Sequence, residues 1–223
     1  MPVSQVRVGN PTNVSLSDNN VYDQLGGKQG DAMVSELHSK YFTQTYRGAM
    51  WHASNATASP VAIPLFATNC TPTFAILNPA GNTTAIVPTR INFGWTAGTG
   101  IAGCIGYAYL PIVGQGVGTA AAVSTYTVGP SIKSGIVGKS YAGNAAFWIS
   151  ATIGGAVVTP SLYKWSNIGQ GAPITSTASM WSLFEDFDGT VIIPPGQLWF
   201  PIASVAIAET FQISLSAYEI PWP

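Results

Sequence analysis

From Leu37 to Phe184 the chain contains no aspartate and no glutamate, and its only full charges there are Lys40, Arg47, Arg90, Lys133, Lys139 and Lys164. Carboxylates are the usual general acids and bases, the usual ligands of hard cations and a main source of repulsion between soluble surfaces. A chain without them over most of its length is not expected to be organised around catalysis. Charged residues make up 8% of its 223 positions, against about a quarter in an ordinary globular domain.

Histidine and cysteine are almost as scarce. His38 and His52 are the only histidines. Neither lies near a G-x-S-x-G elbow, and the pair lacks cysteine or carboxylate companions at zinc spacing, so a Ser-His-acid triad and a zinc site are both disfavoured. Cys70 and Cys104 allow a single disulfide, but a domain of this size does not need one, and cysteine's preference for interiors predicts two buried free thiols. No catalytic, cofactor-binding or metal-ligating residue is assigned, and no cofactor is expected.

Long hydrophobic runs are also missing. Ile91 to Ile132 carries no charge, yet Gly94, Gly98, Gly103, Gly106, Pro111 and Gly114 interrupt it before about 20 apolar residues accumulate, so no membrane-spanning helix is expected. The start, Met1-Pro2-Val3-Ser4-Gln5-Val6-Arg7, shows no basic segment followed by an apolar one, and export by a secretory signal is not expected. The four Asn-x-Ser/Thr triplets, beginning at Asn13, Asn55, Asn69 and Asn82, are then chance in a Ser/Thr/Asn-rich chain. Basic residues are scattered singly, which argues against direct nucleic-acid binding.

What is present is apolar and rich in turns: 47% hydrophobic residues, 24 Gly and 16 Pro, with a formal net charge of −1. That hydrophobicity excludes disorder. Near-zero net charge removes the repulsion that keeps monomers apart, which favours self-association. Charge is concentrated at the start, where Arg7, Asp18, Asp23, Lys28, Asp31, Glu36, Lys40 and Arg47 lie among sparse valines and leucines. Residues 1–48 read as an extended N-terminal arm, with a short helix from Asp31 through Leu37 and a strand over Tyr41 to Tyr46.

Residues 49–223 read as an antiparallel β domain. Strands are expected over Val61 to Ala67, Thr73 to Asn78, Ala85 to Trp95, Cys104 to Val113, Ala121 to Val128, Ala145 to Ile153, Val157 to Trp165, Met180 to Phe184, Val191 to Ile193, Gln197 to Ser204 and Thr210 to Glu219. Turns are expected at Asn78-Pro79-Ala80-Gly81-Asn82, with positive φ open to Gly81, at Gly154-Gly155, and at Pro194-Pro195-Gly196 as type II. This spacing predicts an all-β, antiparallel β-sandwich of jelly-roll type. From Phe211 to Ile220 apolar and polar residues mostly alternate, and the polar set is hydroxyl-rich. A neutral face of this kind packs against a neighbour without desolvating ions, which would cost several kcal/mol each.

The one dense acidic patch, Glu185-Asp186-Phe187-Asp188-Gly189, lacks the remaining ligands of a calcium loop and reads as a solvated turn capped by its own carboxylates. Gly98-x-Gly100-x-x-Gly103 matches a dinucleotide fingerprint in letters only, since no βαβ unit surrounds it. Seven Trp and nine Tyr are spread through the strands, which favours core and interface roles over a sugar-stacking platform.

The segment Glu36-Leu37-His38-Ser39-Lys40-Tyr41-Phe42-Thr43-Gln44-Thr45-Tyr46-Arg47-Gly48, the turn Leu77-Asn78-Pro79-Ala80-Gly81-Asn82, and the ending from Val191-Ile192-Ile193-Pro194-Pro195-Gly196 to Tyr218-Glu219-Ile220-Pro221 resemble virion proteins of tailed bacteriophages. The resemblance spans most of the chain and transfers no active-site residue. It implies a structural component of the particle, a capsid decoration or cement protein or part of the tail apparatus. Its expected partners are further copies of itself, as a homotrimer, and the major capsid protein or other virion proteins. A second reading is a receptor-binding or fibre-tip module that recognises a host glycan through exposed Trp and Tyr. A third is a glycan-active enzyme whose acids would be Glu185, Asp186, Asp188, Glu209 or Glu219.

Overall fold

A computed structural model describes residues 40–55, 60–67, 71–98, 103–111, 125–128, 132–152, 160–170 and 182–222. The chain divides into two units, Met1–Lys40 and Tyr41–Pro223, and the second carries the described fold. The expected Asp31 helix, His38, Cys70, the Gly154-Gly155 turn and much of the Gly98 to Gly103 segment lie outside the described residues.

Among the described residues one short helix, α1 (Phe42–Tyr46), precedes twelve strands: β1 (Met50–Ser54), β2 (Val61–Ala62), β3 (Ala75–Asn78), β4 (Thr84–Ala97), β5 (Gly103–Pro111), β6 (Thr125–Val128), β7 (Lys133–Ser134), β8 (Ala146–Thr152), β9 (Ser161–Gln170), β10 (Ser182–Asp186), β11 (Gln197–Ala203) and β12 (Thr210–Pro221). The strands form two sheets. The first runs β10-β4-β12-β1-β7, with β2 pairing to β12, and the second runs β6-β8-β3-β11-β5-β9. Every pairing between these described strands is antiparallel, and one isolated bridge, Leu65 to Ala203, is parallel. The fold is therefore all-β and sandwich-like.

The core between the sheets is aromatic. Trp51, Phe93, Phe211, Ile213 and Leu215 of the first sheet meet Ile76, Tyr107, Phe147 and Trp199 of the second. Tyr107 lies nearly parallel to Trp199 with ring centroids 4.9 Å apart, and Phe187 stands edge-on to both. Burying such large rings supplies the apolar area that a charge-poor chain relies on for stability.

β12 alternates as its sequence predicts, with Phe211, Ile213, Leu215 and Ala217 buried and the residues between them half-buried. β11 does not alternate, because nearly all of it is buried. Its Trp199 and Ala203 join the inter-sheet core, whereas Leu198, Phe200 and Ile202 join Ala75, Leu77, Ala108, Leu110 and Trp148 in a second apolar cluster on the opposite face. The second sheet is thus apolar on both faces.

Several expectations need correction. Tyr41 to Tyr46 contains the helix α1 rather than a strand. Gly48 adopts φ +77°, its N–H donates to the Thr45 carbonyl, and the Ala49 N–H donates to the Gln44 carbonyl. These two bonds close the helix in the manner of a Schellman cap, which a glycine at that position allows without steric cost. Val191 to Ile193 forms a single bridge, Ile86 to Ile193, instead of a strand. β1 and β7 were not expected as strands. At the Pro79 turn the Asn82 N–H donates to the Pro79 carbonyl over 3.0 Å, and Gly81 does not use positive φ. Gly196, with φ +80°, does, as a type II turn after Pro195 requires.

Candidate interaction face

The outer face of the first sheet is built from the residues that alternate with its core positions. Strand register aligns them in rows. One row runs Phe184, Asn92, Ser214, Ser54 across β10, β4, β12 and β1, and the next runs Asp186, Arg90, Ser216, His52, Lys133 and so reaches β7. Within the rows the Asn92 amide donates to the Ser214 hydroxyl over 3.3 Å, and His52 Nδ1 lies 2.9 Å from the Ser216 hydroxyl. Arg90 donates from Nε and Nη2 to the two Asp186 oxygens, at 2.5 and 2.8 Å, and its guanidinium carbon lies 4.9 Å from the Phe184 ring centre.

Among the described residues this face carries charge in one self-neutralised pair and in Lys133. Its other polar groups are hydroxyls, the amides of Asn92 and Gln212, and an imidazole whose partial burial lowers its basicity below the ordinary value. Short side chains already hydrogen-bonded to one another lose little rotamer freedom when covered. Phe184, 57% exposed, supplies an apolar anchor at one edge.

The acidic residues singled out from the sequence are held in separate places. Glu185 and Asp186 are strand neighbours, so their side chains point to opposite faces of the sheet. Asp186 joins Arg90 on the outside. Glu185 points inward, where Lys164 Nζ donates to Oε1 over 2.5 Å and the Tyr107 hydroxyl donates to Oε2 over 2.7 Å. Burial pushes the Glu185 carboxyl upward, but hydrogen bonds from Lys164, Ser166 and Tyr107 outweigh it and hold the group below the ordinary carboxylate value. Burial, with Glu185 as acceptor, pushes the Tyr107 phenol far up, so it remains a donor. Lys164 and Glu185 join β9 of one sheet to β10 of the other and close one side of the sandwich.

Asp188 and Gly189, both at positive φ, form the centre of a tight turn in which the Thr190 N–H donates to the Phe187 carbonyl. Asp186 pairs with Arg90, and Asp188 accepts from the Tyr41 hydroxyl at 3.2 Å. Glu219 accepts from the Tyr141 hydroxyl and, over 2.7 Å, from Thr84. Burial, followed by that carboxylate, pushes the Tyr141 phenol far up. Glu209 is fully buried. Cys104 is free and exposed rather than buried, because its position near the start of β5 faces outward.

Arg90, Lys164, Tyr107 and Tyr141 were not singled out as partners for these acids. The available signal was the scarcity of charge: a basic residue in the acid-free stretch that pairs with a carboxylate must find it elsewhere in the chain. Among the described residues no group of three His, Cys, Asp or Glu side chains gathers as a metal site, and no helix is long and apolar enough to cross a membrane. No protein-family model, curated protein or solved structure matches the chain.

Proposed function

We propose that this chain is a structural subunit of a bacteriophage virion, a capsid decoration or cement protein that assembles as a homotrimer and attaches to the shell. The observation that carries this reading is the neutral, hydroxyl-lined outer face of the first sheet. An interface of about 1,600 Å² there would gain on the order of 25 cal/mol per Å² of apolar area with little desolvation of ions to offset it.

The connectivity supports a jelly-roll version of the sandwich. β5 pairs with β9, β4 with β10, β3 with β11 and β1 with β12. These four nested pairs are what winding up one long hairpin produces, and that connectivity is common in viral shell domains. β6, β7 and β8 are then an insertion between β5 and β9 that widens both sheets. The charged N-terminal segment is the arm that reaches neighbouring virion proteins.

Sedimentation of the purified chain tests the reading. The expected species has three times the 23.3 kDa chain mass. Placing lysines at Asn92 and Ser214 should dissociate it while leaving the far-UV spectrum unchanged. A wild-type monomer at micromolar concentration, or a trimer indifferent to both lysines, would overturn the proposal. Deleting residues 1–40 should abolish attachment to particles and leave the sandwich folded.

A further inference from the structure

A ring of three copies requires two different patches on each chain, since only a twofold axis brings a patch onto itself. The two edges of the first sheet carry such a pair. β10 and β7 stand at opposite ends of its strand order, four strand spacings or roughly 19 Å apart, so the patches they carry do not meet within one chain.

At the β7 edge a short hairpin is pinned by the bridge between Lys133 and Ser140 and by the Gly135 N–H, which donates to the Met50 carbonyl over 2.8 Å. Its tip is Ile136-Val137-Gly138-Lys139. The Lys139 N–H donates to the Ile136 carbonyl over 3.1 Å, and Gly138 takes φ +83°, as the third position of a type II turn requires. The Ile136 N–H donates to the Ser134 hydroxyl over 3.1 Å. This fixed tip presents Val137 with 99% of its surface exposed. Turn tips ordinarily carry Gly, Pro, Asn, Asp or Ser, whereas a β-branched hydrocarbon there is stabilising only when something covers it. Held rigid in advance, it loses little freedom on docking. Lys133 and Lys139 flank it, both exposed, and neither forms an ion pair among the described residues.

At the opposite edge, where Lys164 and Glu185 join β9 to β10, a cavity of about 270 Å³ opens. Tyr109, Tyr163, Ile192, Pro194 and Trp199 line it, and no Asp, Glu, Lys or Arg does. Its rim is apolar and accessible, with Tyr163 43% and Ile192 46% exposed. The Tyr163 hydroxyl donates to the Thr190 carbonyl over 3.2 Å, which ties the rim to the turn that carries Asp188. Asp188 and, at the end of β10, Asp186 are both exposed. One edge thus offers an apolar knob between two lysines, and the other an apolar hole beside two carboxylates.

We propose that Val137 of one copy seats in this cavity of the next, with Lys133 and Lys139 facing the carboxylates Asp186 and Asp188, so that copies join head to tail into a closed ring. A hydrocarbon knob needs no hydrogen bond from the cavity, which suits an apolar lining. The lysines and carboxylates stay at the rim of the contact, where charge orients the partners and little of it is desolvated. The inference rests on the trimer proposed above and names the two ends of the first sheet that join in it.

Sedimentation of the full chain reads the contact. Val137→Asp spoils the knob and Ile192→Arg blocks the hole; both positions are exposed, and each variant should run as a monomer with an unchanged far-UV spectrum. Mixed, the two should form a one-to-one dimer and nothing larger, because one intact knob and one intact cavity remain between them. Lys139→Glu should weaken association by about tenfold, Lys139→Arg should preserve it, and added salt should weaken the wild-type contact. Two monomeric variants that stay apart when mixed would overturn the docking. So would a trimer indifferent to Val137→Asp and Ile192→Arg, and if Asn92→Lys with Ser214→Lys still dissociates that trimer, the assembly reading survives alone. A wild-type monomer would overturn both.

Discussion

The two sheets share a core but handle their outer faces in opposite ways. On the first sheet β12 alternates, and its outer face carries Gln212, Ser214 and Ser216, which are neutral and partly wet. On the second sheet β11 is apolar in both directions, so Leu198, Phe200 and Ile202 form a second buried cluster behind the shared one. A chain with few charges thus lines the outer face of one sheet with neutral polar groups and packs hydrocarbon against both faces of β11 in the other. On the proposed reading the first sheet is the one that associates, while the buried cluster of the second contributes stability.

The largest effect that would sharpen this contrast is on the second sheet. Phe200→Ala removes a fully buried ring from the outer cluster and should cost about 3–5 kcal/mol, measured by urea unfolding. A change near zero would mean that this face is not a structural layer. The matching test on the first sheet is Ser214→Ala, expected to alter stability by no more than about 0.5 kcal/mol.

Between these lies the strut that joins the sheets. Lys164→Met leaves the Glu185 carboxylate with one charge partner fewer and should cost about 1–2 kcal/mol, reduced by solvent at the partly exposed lysine. The sign with pH follows from the depressed Glu185 group. Its contribution is present above the ordinary value of 4.5 and is lost as pH falls below it toward the folded value. The stability gap between wild type and the variant should therefore close on acidification, and a gap that widens would refute the assignment. The smallest effect is expected from Arg90→Ala, whose ion pair with Asp186 is solvent-screened. Thermal unfolding should barely shift, while the association proposed for this face should weaken as Phe184 loses its guanidinium neighbour.

Much of the strand pattern was legible because it is local. The period-two run from Phe211 to Ile220 announces a half-buried strand by itself, and Pro195-Gly196 announces its turn. α1 was not legible from propensity, since Tyr41 to Tyr46 is rich in aromatic and β-branched residues. Gly48 was the available clue, as a left-handed cap that ends a helix. The neutrality of the candidate face was visible in its serines, but its rows were not. Asn92 and Ser214 are 122 positions apart, and only strand pairing sets them side by side.

By itself the sequence determined the class of this protein and the chemistry of its surfaces. Alternation, turn residues and the acid-free stretch impose a β fold with neutral faces, because each acts through neighbouring positions or through composition. Only the tertiary structure decided which strands lie together, and with them the fate of the few charges. Glu185 and Asp186 are adjacent in the chain, yet one closes the sandwich with Lys164 and the other holds Arg90 on its surface. Long-range pairing depends on how whole sheets bury area, a quantity that no local stretch of residues encodes.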